Sequence, residues 1–196
     1  MNKTLKNHKK QLVKDAILDS AKNIVETRGF SALSLRKIAD DIGYSVGSIY
    51  QYYKNKDEIL KDLIEIKYKE MIDKLSGHNN SKNLIEAITG KFMTYCEFAL
   101  ENKDYYKEMM LSNDPNVLRM TGVLNDPPTP GMNMLIQYLR SLDRDPDYSI
   151  DDPKQTAKFL WSSIFGLIIK MIIEDVDDFE MVENHIHFLL KALKGA

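Results

Sequence analysis

The first proline of the chain is Pro115, and all six prolines lie between Pro115 and Pro153. More than half of the 196 residues therefore run free of the residue that a helix interior tolerates least. Across that run apolar residues recur every three or four positions, the period of a helix face. No segment shows sustained alternation bounded by hairpin signals, and there is no internal repeat. The pattern predicts an all-α fold. With 43% hydrophobic and 29% charged residues the chain can bury a core, which excludes disorder as its main state. Its length suits one domain, or a small one joined to a larger one.

Caps and stops divide the chain into about nine helices. The first is expected from Lys9 to Arg28, with Leu12, Ala16, Ile17, Ala21, Ile24 and Val25 on one stripe and Gly29 as its stop. Ser34 caps a second over Leu35–Ile42, ended by Gly43, and Ser45 caps a third over Val46–Tyr52. Asn55 caps a fourth over Lys56–Leu75, where Glu58 completes a capping-box-like pattern. Helices over Asn83–Leu100 and Lys103–Leu111 follow, then a breaker-rich stretch from Asn113 to Gly131. Helices over Met132–Ser141, Pro153–Glu174 and Asp178–Lys194 complete the set.

Charge divides the chain as well. Up to Lys56 there are 11 Lys+Arg against 5 Asp+Glu, and from Asp57 onward 16 against 24. A basic first quarter on an acidic remainder points to a nucleic-acid-binding head, residues 1–56, on a body, residues 57–196. One cysteine, Cys96, allows no intramolecular disulfide and no cysteine-built zinc cage, as in a reducing compartment. The opening MNKTLKNHKKQL has no apolar h-region. The most apolar run, Phe159 to Ile173, is interrupted and shorter than the roughly 20 residues of a bilayer span. A soluble, cytoplasmic protein with no membrane partner is expected.

The segment richest in chemistry is SLRKIADDIGYSVGSIYQYYKNK, Ser34 to Lys56. Two short capped helices flank a Gly-Tyr turn, and neither is long enough to stand alone. Ile38, Ala39, Ile42 and Ile49 supply the face that packs them on the first helix. This is a helix-turn-helix, whose second helix enters the DNA major groove. Its outer side carries Val46, Gly47, Ser48, Tyr50, Gln51 and Tyr52: small residues at the tip, hydroxyls for phosphates, a Gln amide able to pair with adenine and a valine able to meet a thymine methyl. Lys54 and Lys56 follow where phosphates would lie, and the helix starts at Ser34, Ser45 and Asn55 offer backbone N–H groups to phosphate oxygens.

The string GFSALSLRKIADDIGYSVGSIYQYYKNKDEIL resembles the DNA-binding head of the TetR family of transcriptional regulators over roughly residues 9–60. Tyrosine at position 53, where phenylalanine is more usual, is the one departure, and Tyr53 is expected to pack inward. The resemblance implies contacts to the DNA backbone or a groove edge at Ser34 and Arg36. It puts Val46, Gly47, Ser48 and Gln51 on the base-facing side, with Tyr50, Tyr52 and Lys56 on the backbone. Arg36 can instead pair with Asp40 one turn on, and Lys9 and Lys10 are either electrostatic aids or a solvated basic tail.

In the body, Phe159–Ile173 is apolar nearly all round, so it needs cover on every side. The last helix carries one stripe of Phe179, Val182, Ile186, Leu189, Leu190 and Leu193, and a second of Met181, His185, Phe188 and Ala192. The resemblance implies a homodimer paired through the last two helices. Trp161, Phe165, Ile168, Val182, Ile186, Leu189 and Leu193 are the interface candidates, and small Ser162, Ser163 and Gly166 permit close approach. WSSIFGLI resembles an element of regulatory domains in one branch of the family.

A family-like cavity for a small apolar or aromatic effector has as candidate lining Phe92, Met93, Tyr95, Cys96, Tyr106, Met109, Met110, Met134, Tyr138, Trp161 and Phe165. At helical spacing each of these equally suits an ordinary core position.

The four histidines are His8, His78, His185 and His187, and the last two point about 200° apart on a helix, so no metal site forms between them. No phosphate loop, nucleophile elbow or H-E-x-x-H is present, and no cofactor is called for. The resulting expectation is a non-enzymatic, ligand-responsive homodimeric repressor on a near-palindromic double-stranded operator. A regulator without a small ligand, or a small helical enzyme using the Met/Tyr cavity, are the competing readings.

Overall fold

The structure, a computed structural model, describes residues 3–77, 81, 83–124 and 128–194. Met1, Asn2, His78 and Asn125–Pro127 of the breaker-rich stretch lie outside the described residues. The described residues form ten α-helices and one short 3₁₀ turn, Phe30–Ala32, rather than nine helices. They are α1 (Lys3–Arg28), α2 (Leu35–Ile42), α3 (Val46–Ile49), α4 (Lys56–Gly77), α5 (Leu84–Glu101), α6 (Lys103–Met110), α7 (Pro115–Thr121), α8 (Pro130–Leu142), α9 (Pro153–Glu174) and α10 (Phe179–Lys191). The chain divides into two compact units, residues 1–67 and 68–196, so the division falls inside α4 rather than at its first residue.

In the first unit, α1 packs on α2 and α2 on α3. Val13, Ile17, Ala21 and Ile24 form the buried edge of α1, spaced four, four and three residues apart. Leu12, expected on that stripe, is 55% exposed, because its neighbour Val13 takes the inward position and leaves it about 100° away. Ile38, Ala39 and Ile49 are fully buried, while Ile42 is half-buried.

Ser34 caps α2 by accepting from the Lys37 N–H at 3.3 Å. Gly43 closes it in the left-handed region at φ 71°, where Tyr44 N–H reaches the Ala39 carbonyl at 2.9 Å. Regular α3 ends at Ile49, short of the expected Tyr52. Beyond it the chain tightens, with Gln51 N–H donating to Ser48 O at 3.2 Å and Tyr52 N–H to Ile49 O at 2.9 Å. That turn carries Tyr53 inward to 2% exposure, where its hydroxyl donates to Asp62 at 2.8 Å. A tyrosine therefore serves where phenylalanine is more usual: its extra hydroxyl has an acceptor waiting. Asn55 caps α4 by accepting from Glu58 N–H at 2.9 Å. The Glu58 carboxylate answers at Lys54 N–H, 2.8 Å away, one residue upstream of the capping-box partner.

In the second unit, α5 is the centre, packed by α6, α8, α9 and α10. Two prolines of the stretch read from sequence as breaker-rich, Pro115 and Pro130, instead stand in the first turn of helices, as Pro153 does where a helix start was expected. Asp114 precedes Pro115, Thr129 precedes Pro130 and Asp152 precedes Pro153, each cap accepting a backbone N–H of its helix. The helix the sequence reading omitted, α7, is one of these.

At 22 residues α9 is long and apolar enough to cross a membrane by length and composition, because it extends beyond the Phe159–Ile173 run. Only one edge of it is covered. Ala157, Leu160, Ile164, Ile168 and Met171 are fully buried, whereas Phe159 is 62% and Ile173 78% exposed.

Gly43→Ala should cost about 1–2 kcal/mol, since nothing obstructs a methyl there and the left-handed backbone alone is strained. Gly47→Ala, in α3, should show no such loss. Urea unfolding of the two variants followed by circular dichroism makes the comparison.

Candidate functional site

Residues 34–56 present one exposed surface in the first unit. Arg36, Ser45, Gly47, Tyr50, Gln51 and Lys56 are exposed; Ser34, Val46, Ser48 and Tyr52 are half-buried. Three of the hydroxyls are engaged, that of Ser34 as the cap of α2. Ser45 Oγ accepts from Ser48 N–H at 3.1 Å as the cap of α3 and lies 2.8 Å from Ser48 Oγ, with which it shares a hydrogen. Arg36 forms no ion pair with Asp40 among the described residues, and Lys56 forms none either. Lys54, by contrast, stands 4.0 Å from Glu58. Lys37, also exposed, donates its Nζ to the Ala32 carbonyl at 3.0 Å, so Arg36 and Lys56, on either side of α3 in the chain, are the cationic groups of this surface with neither an ion pair nor a side-chain hydrogen bond among the described residues.

The second unit holds a cavity of about 80 Å³. One wall is α4, through Tyr68, Met71, Ile72 and Leu75, and a second is α5, through Ile88, Lys91, Phe92 and Tyr95. Thr121 and Gly122 close α7 against it. Thr129, Gly131, Met132, Met134, Leu135 and Tyr138 come from α8 and its cap, and Trp161 from α9. Gly122 sits at φ 88°, and a methyl there would lie 3.0 Å from Thr129 Oγ1, so shape and backbone both require glycine. Thr121, buried beside it, donates its hydroxyl to carbonyls of Val117 and Met109 at 3.0 and 3.1 Å.

Lys91 is the charged residue among the described residues of the lining. Its Nζ donates to the Leu75 carbonyl near the end of α4, and partial burial lowers its pKa. One turn further along α5, the Tyr95 hydroxyl lies 2.9 Å from that of Tyr106, with the rings edge-on at 5.9 Å. Tyr106 is fully buried and has the Tyr95 hydroxyl as its hydrogen-bond partner. Either hydroxyl can donate in that bond, and the pair joins the cavity-lining Tyr95 to the core. Burial raises the pKa of Tyr68, Tyr95 and Tyr106 above the ordinary phenol value.

Residues 17–63 match the family model of bacterial regulatory proteins, tetR family. That segment contains the whole of α2, the turn and α3, and the start of α4. The matched segment is that of a TetR-family DNA-binding head. It is 28% identical over 95 residues to the HTH-type transcriptional repressor KstR2 of Mycolicibacterium smegmatis, covering 46% of this chain and 44% of that protein. It is 34% identical over 59 residues to the fatty acid metabolism regulator protein of Bacillus subtilis, covering 30% of each. The chain thus aligns with less than half the length of either curated relative. The fold match is more extensive. The fatty acid degradation regulator FadR of Bacillus halodurans superposes with a TM-score of 0.70 at 19% identity, over 90% of this chain and 94% of that one.

Within the body, the structure brings together five of the expected lining residues: Phe92, Tyr95, Met134, Tyr138 and Trp161. Cys96, Tyr106, Met109 and Met110 do not line the cavity; they are fully buried core. Burial pushes the Cys96 thiol up to about 12, so it stays protonated and is no nucleophile. Met93 is half-buried outside the lining, and Phe165 stacks on Trp161 at 5.2 Å rather than facing the cavity. The α4 wall was missed because α4 was read as the boundary of the head. The α7 wall was missed because Pro115 was read as a breaker, although Asp114-Pro115 is a helix-start signal.

The interface candidates need a larger correction. Ile168, Val182, Ile186 and Leu189 are buried inside the subunit, so no partner can cover them. Leu193 is half-buried and Trp161 belongs to the cavity. It is the second stripe of α10 that faces outward: Phe188 is 72% exposed, Ala192 exposed, and Met181 and His185 half-buried. His185 Nε2 lies 2.9 Å from Ser163 Oγ, and among the described residues no His, Cys, Asp or Glu group is arranged to hold a metal.

The raised tyrosine pKa values set an alkaline limit. A phenol whose folded pKa lies above its unfolded value of about 10 contributes stability that is complete below pH 10 and is lost as the pH rises past it. Absorbance titration at 295 nm should show part of the ten tyrosines ionising only on unfolding, and urea unfolding should be weaker at pH 11 than at pH 9.

Proposed function

We propose that the protein is a cytoplasmic, homodimeric transcriptional repressor that binds a near-palindromic operator through residues 34–56 and is released by a small ligand held in the body cavity. The observation that carries this reading is the solvent-facing set Arg36, Gly47, Tyr50, Gln51 and Lys56 on a capped helix pair inside the segment that matches the family model. Gln51 is the base-reading candidate, through its amide, and Val46 offers an apolar edge to a thymine methyl. Arg36 and Lys56 meet phosphates, and Tyr50 and Tyr52 add hydroxyls to the backbone. Ser34 and Ser45 act first as caps and Ser48 bonds to the Ser45 cap, so the part of Ser34 and Ser45 in DNA binding comes through the N–H groups they orient.

The exposed faces of α9 and α10 support the dimer. Phe159, Ile173 and Phe188 are large apolar groups in solvent, and Gly166 on α9 has open space beside it. Such a face gains from a second copy by removing apolar area from water. The body cavity supports the ligand. α4 is one continuous helix that starts at Lys56 in the head segment and supplies Tyr68, Met71, Ile72 and Leu75 to the cavity. A ligand that favours one placement of this wall shifts the balance between DNA-competent and released states by its differential affinity for them.

A selected operator duplex tests the head. Two phosphate-meeting cations per subunit give a log–log salt slope of roughly −3.6 for a dimer. Lys56→Ala should weaken binding to operator and scrambled duplex alike and flatten the slope by about 2. Gln51→Ala should leave the slope nearly unchanged but cost about 1–3 kcal/mol per base pair read. If neither variant alters binding, residues 34–56 do not read DNA.

Sedimentation tests the assembly. Wild type should run at twice the 22.6 kDa of one chain. Phe188→Glu should run as a folded monomer, because Phe188 is exposed, whereas Leu189→Glu should unfold the subunit, because Leu189 is core. A dimer that persists in Phe188→Glu and Phe159→Glu together would place the interface elsewhere.

A further inference from the structure

We infer that a lysine stripe on the opening turns of α1 is a second DNA-backbone surface of the head, outside the segment that matches the family model, and that it takes phosphates of the same duplex that residues 34–56 read. The inference rests on the operator-binding reading and adds a surface to it.

Spacing makes the stripe. Before Asp15 the chain has five lysines and no Asp or Glu. α1 starts at Lys3, well before the Lys9 expected from the sequence, so these lysines belong to a helix and not to a loose tail. Positions 3, 6, 10 and 14 fall within about 80° of one another around the helix axis, along about 16 Å of it. The fifth, Lys9, is about 100° from Lys10 and off the stripe.

The core of the head makes no use of this stretch. Residues 5 and 7–12 are all exposed, and the buried edge of α1 begins only at Val13. Lys9 and Lys10 form no ion pair among the described residues. Lysines one turn apart repel each other, and at a helix start they also oppose the dipole. An anion lying along the stripe reverses both effects.

Lys14 fixes where the stripe lies. Its Nζ stands 4.8 Å from the centre of the Tyr53 ring. Tyr53 follows Tyr52 in the turn after α3 and comes just before the start of α4 at Lys56. The stripe thus begins beside the turn that carries the proposed phosphate contacts and continues outward from it. Duplex DNA carries one charge per about 1.7 Å of its axis, so a row of cations of this length meets several phosphates. An anionic membrane fits less well. Only Leu5 and Leu12 are apolar in the exposed stretch, whereas an interfacial helix buries a full apolar face.

The test is the salt dependence of binding of the full-length protein to the selected operator duplex and to its scrambled counterpart. With Lys6 and Lys10 added to Arg36 and Lys56, a dimer makes eight contacts, and the log–log slope should be roughly −7. Lys10→Gln should flatten it by about 2, and Lys6→Gln with Lys10→Gln by about 4, on both duplexes. Lys22→Gln is the control. It makes the same charge change at an exposed site of α1, about 120° around the axis from Lys10, and should leave the slope as it is. Circular dichroism confirms that each variant keeps its fold.

A wild-type slope near −3.6 that Lys10→Gln leaves unaltered, or an equal flattening by Lys22→Gln, would overturn the stripe. So would Lys10-dependent binding to phosphatidylglycerol vesicles with the DNA slope unchanged. The operator-binding reading is judged separately, by Lys56→Ala and Gln51→Ala. If those two leave binding intact while Lys10→Gln flattens the slope, the stripe stands and the assignment of residues 34–56 falls. Failure of the wild type to bind any duplex overturns both.

Discussion

A helix of four residues has no stability of its own, and one of eight has little, since nucleation fixes several residues for each hydrogen bond gained. α3 and α2 exist because their ends are satisfied and one face is removed from water. Ser34 and Ser45 supply the N-terminal acceptors, Gly43 the left-handed exit, and Ile38, Ala39 and Ile49 the buried seam. Everything proposed for the head depends on this arrangement. With the apolar residues committed inward, the other face of α3 is left to Gly47, Tyr50 and Gln51, which carry no role in the core. Tyr53 completes the unit from the far side of the turn, with its ring over the core and its hydroxyl on Asp62.

The body solves a different problem. Its helices are long enough to persist, and the question is how a cavity survives among them. Part of the answer lies in hydrogen bonds that fix the wall. Thr121 ties the end of α7 to the carbonyl of Met109, the Leu75 carbonyl receives Lys91, and the Tyr95 hydroxyl is bonded to that of Tyr106. Buried polar groups matched in this way are costly to displace, so they keep side chains from collapsing into the space. The methionines and Leu135 around them are free of such bonds and adapt to an occupant.

Much of the fold was legible in the sequence because it rests on local chemistry. α2 and α9 have the bounds that caps and glycine or proline signals give, and the head follows from a continuous run of motif residues. What escaped was non-local. Periodicity reveals that α10 has two apolar stripes, but not which one the subunit uses for itself; α5 and α9 take Val182, Ile186 and Leu189, and Phe188 is left outside. Likewise the aromatic and sulfur-containing residues of α5 and α6 divide between cavity and core by a rotation of one or two positions. Tyr95 faces the space while its neighbour Cys96 and its partner Tyr106 do not. α7 was hidden by the double meaning of proline, which stops a helix from within and starts one from its first turn.

The capped starts at Asp114 and Thr129 have one more implication. The stretch from Thr121 to Tyr138 supplies about half of the cavity's lining residues yet contains none of residues 34–56. Each of its two helices begins with its own side-chain cap and proline, so each keeps its start under changes further along. Substitutions there can alter what the cavity admits while the residues assigned to DNA stay as they are. One recognition surface can in this way be joined to many different chemical signals, with the alphabet of the response rewritten apart from its address.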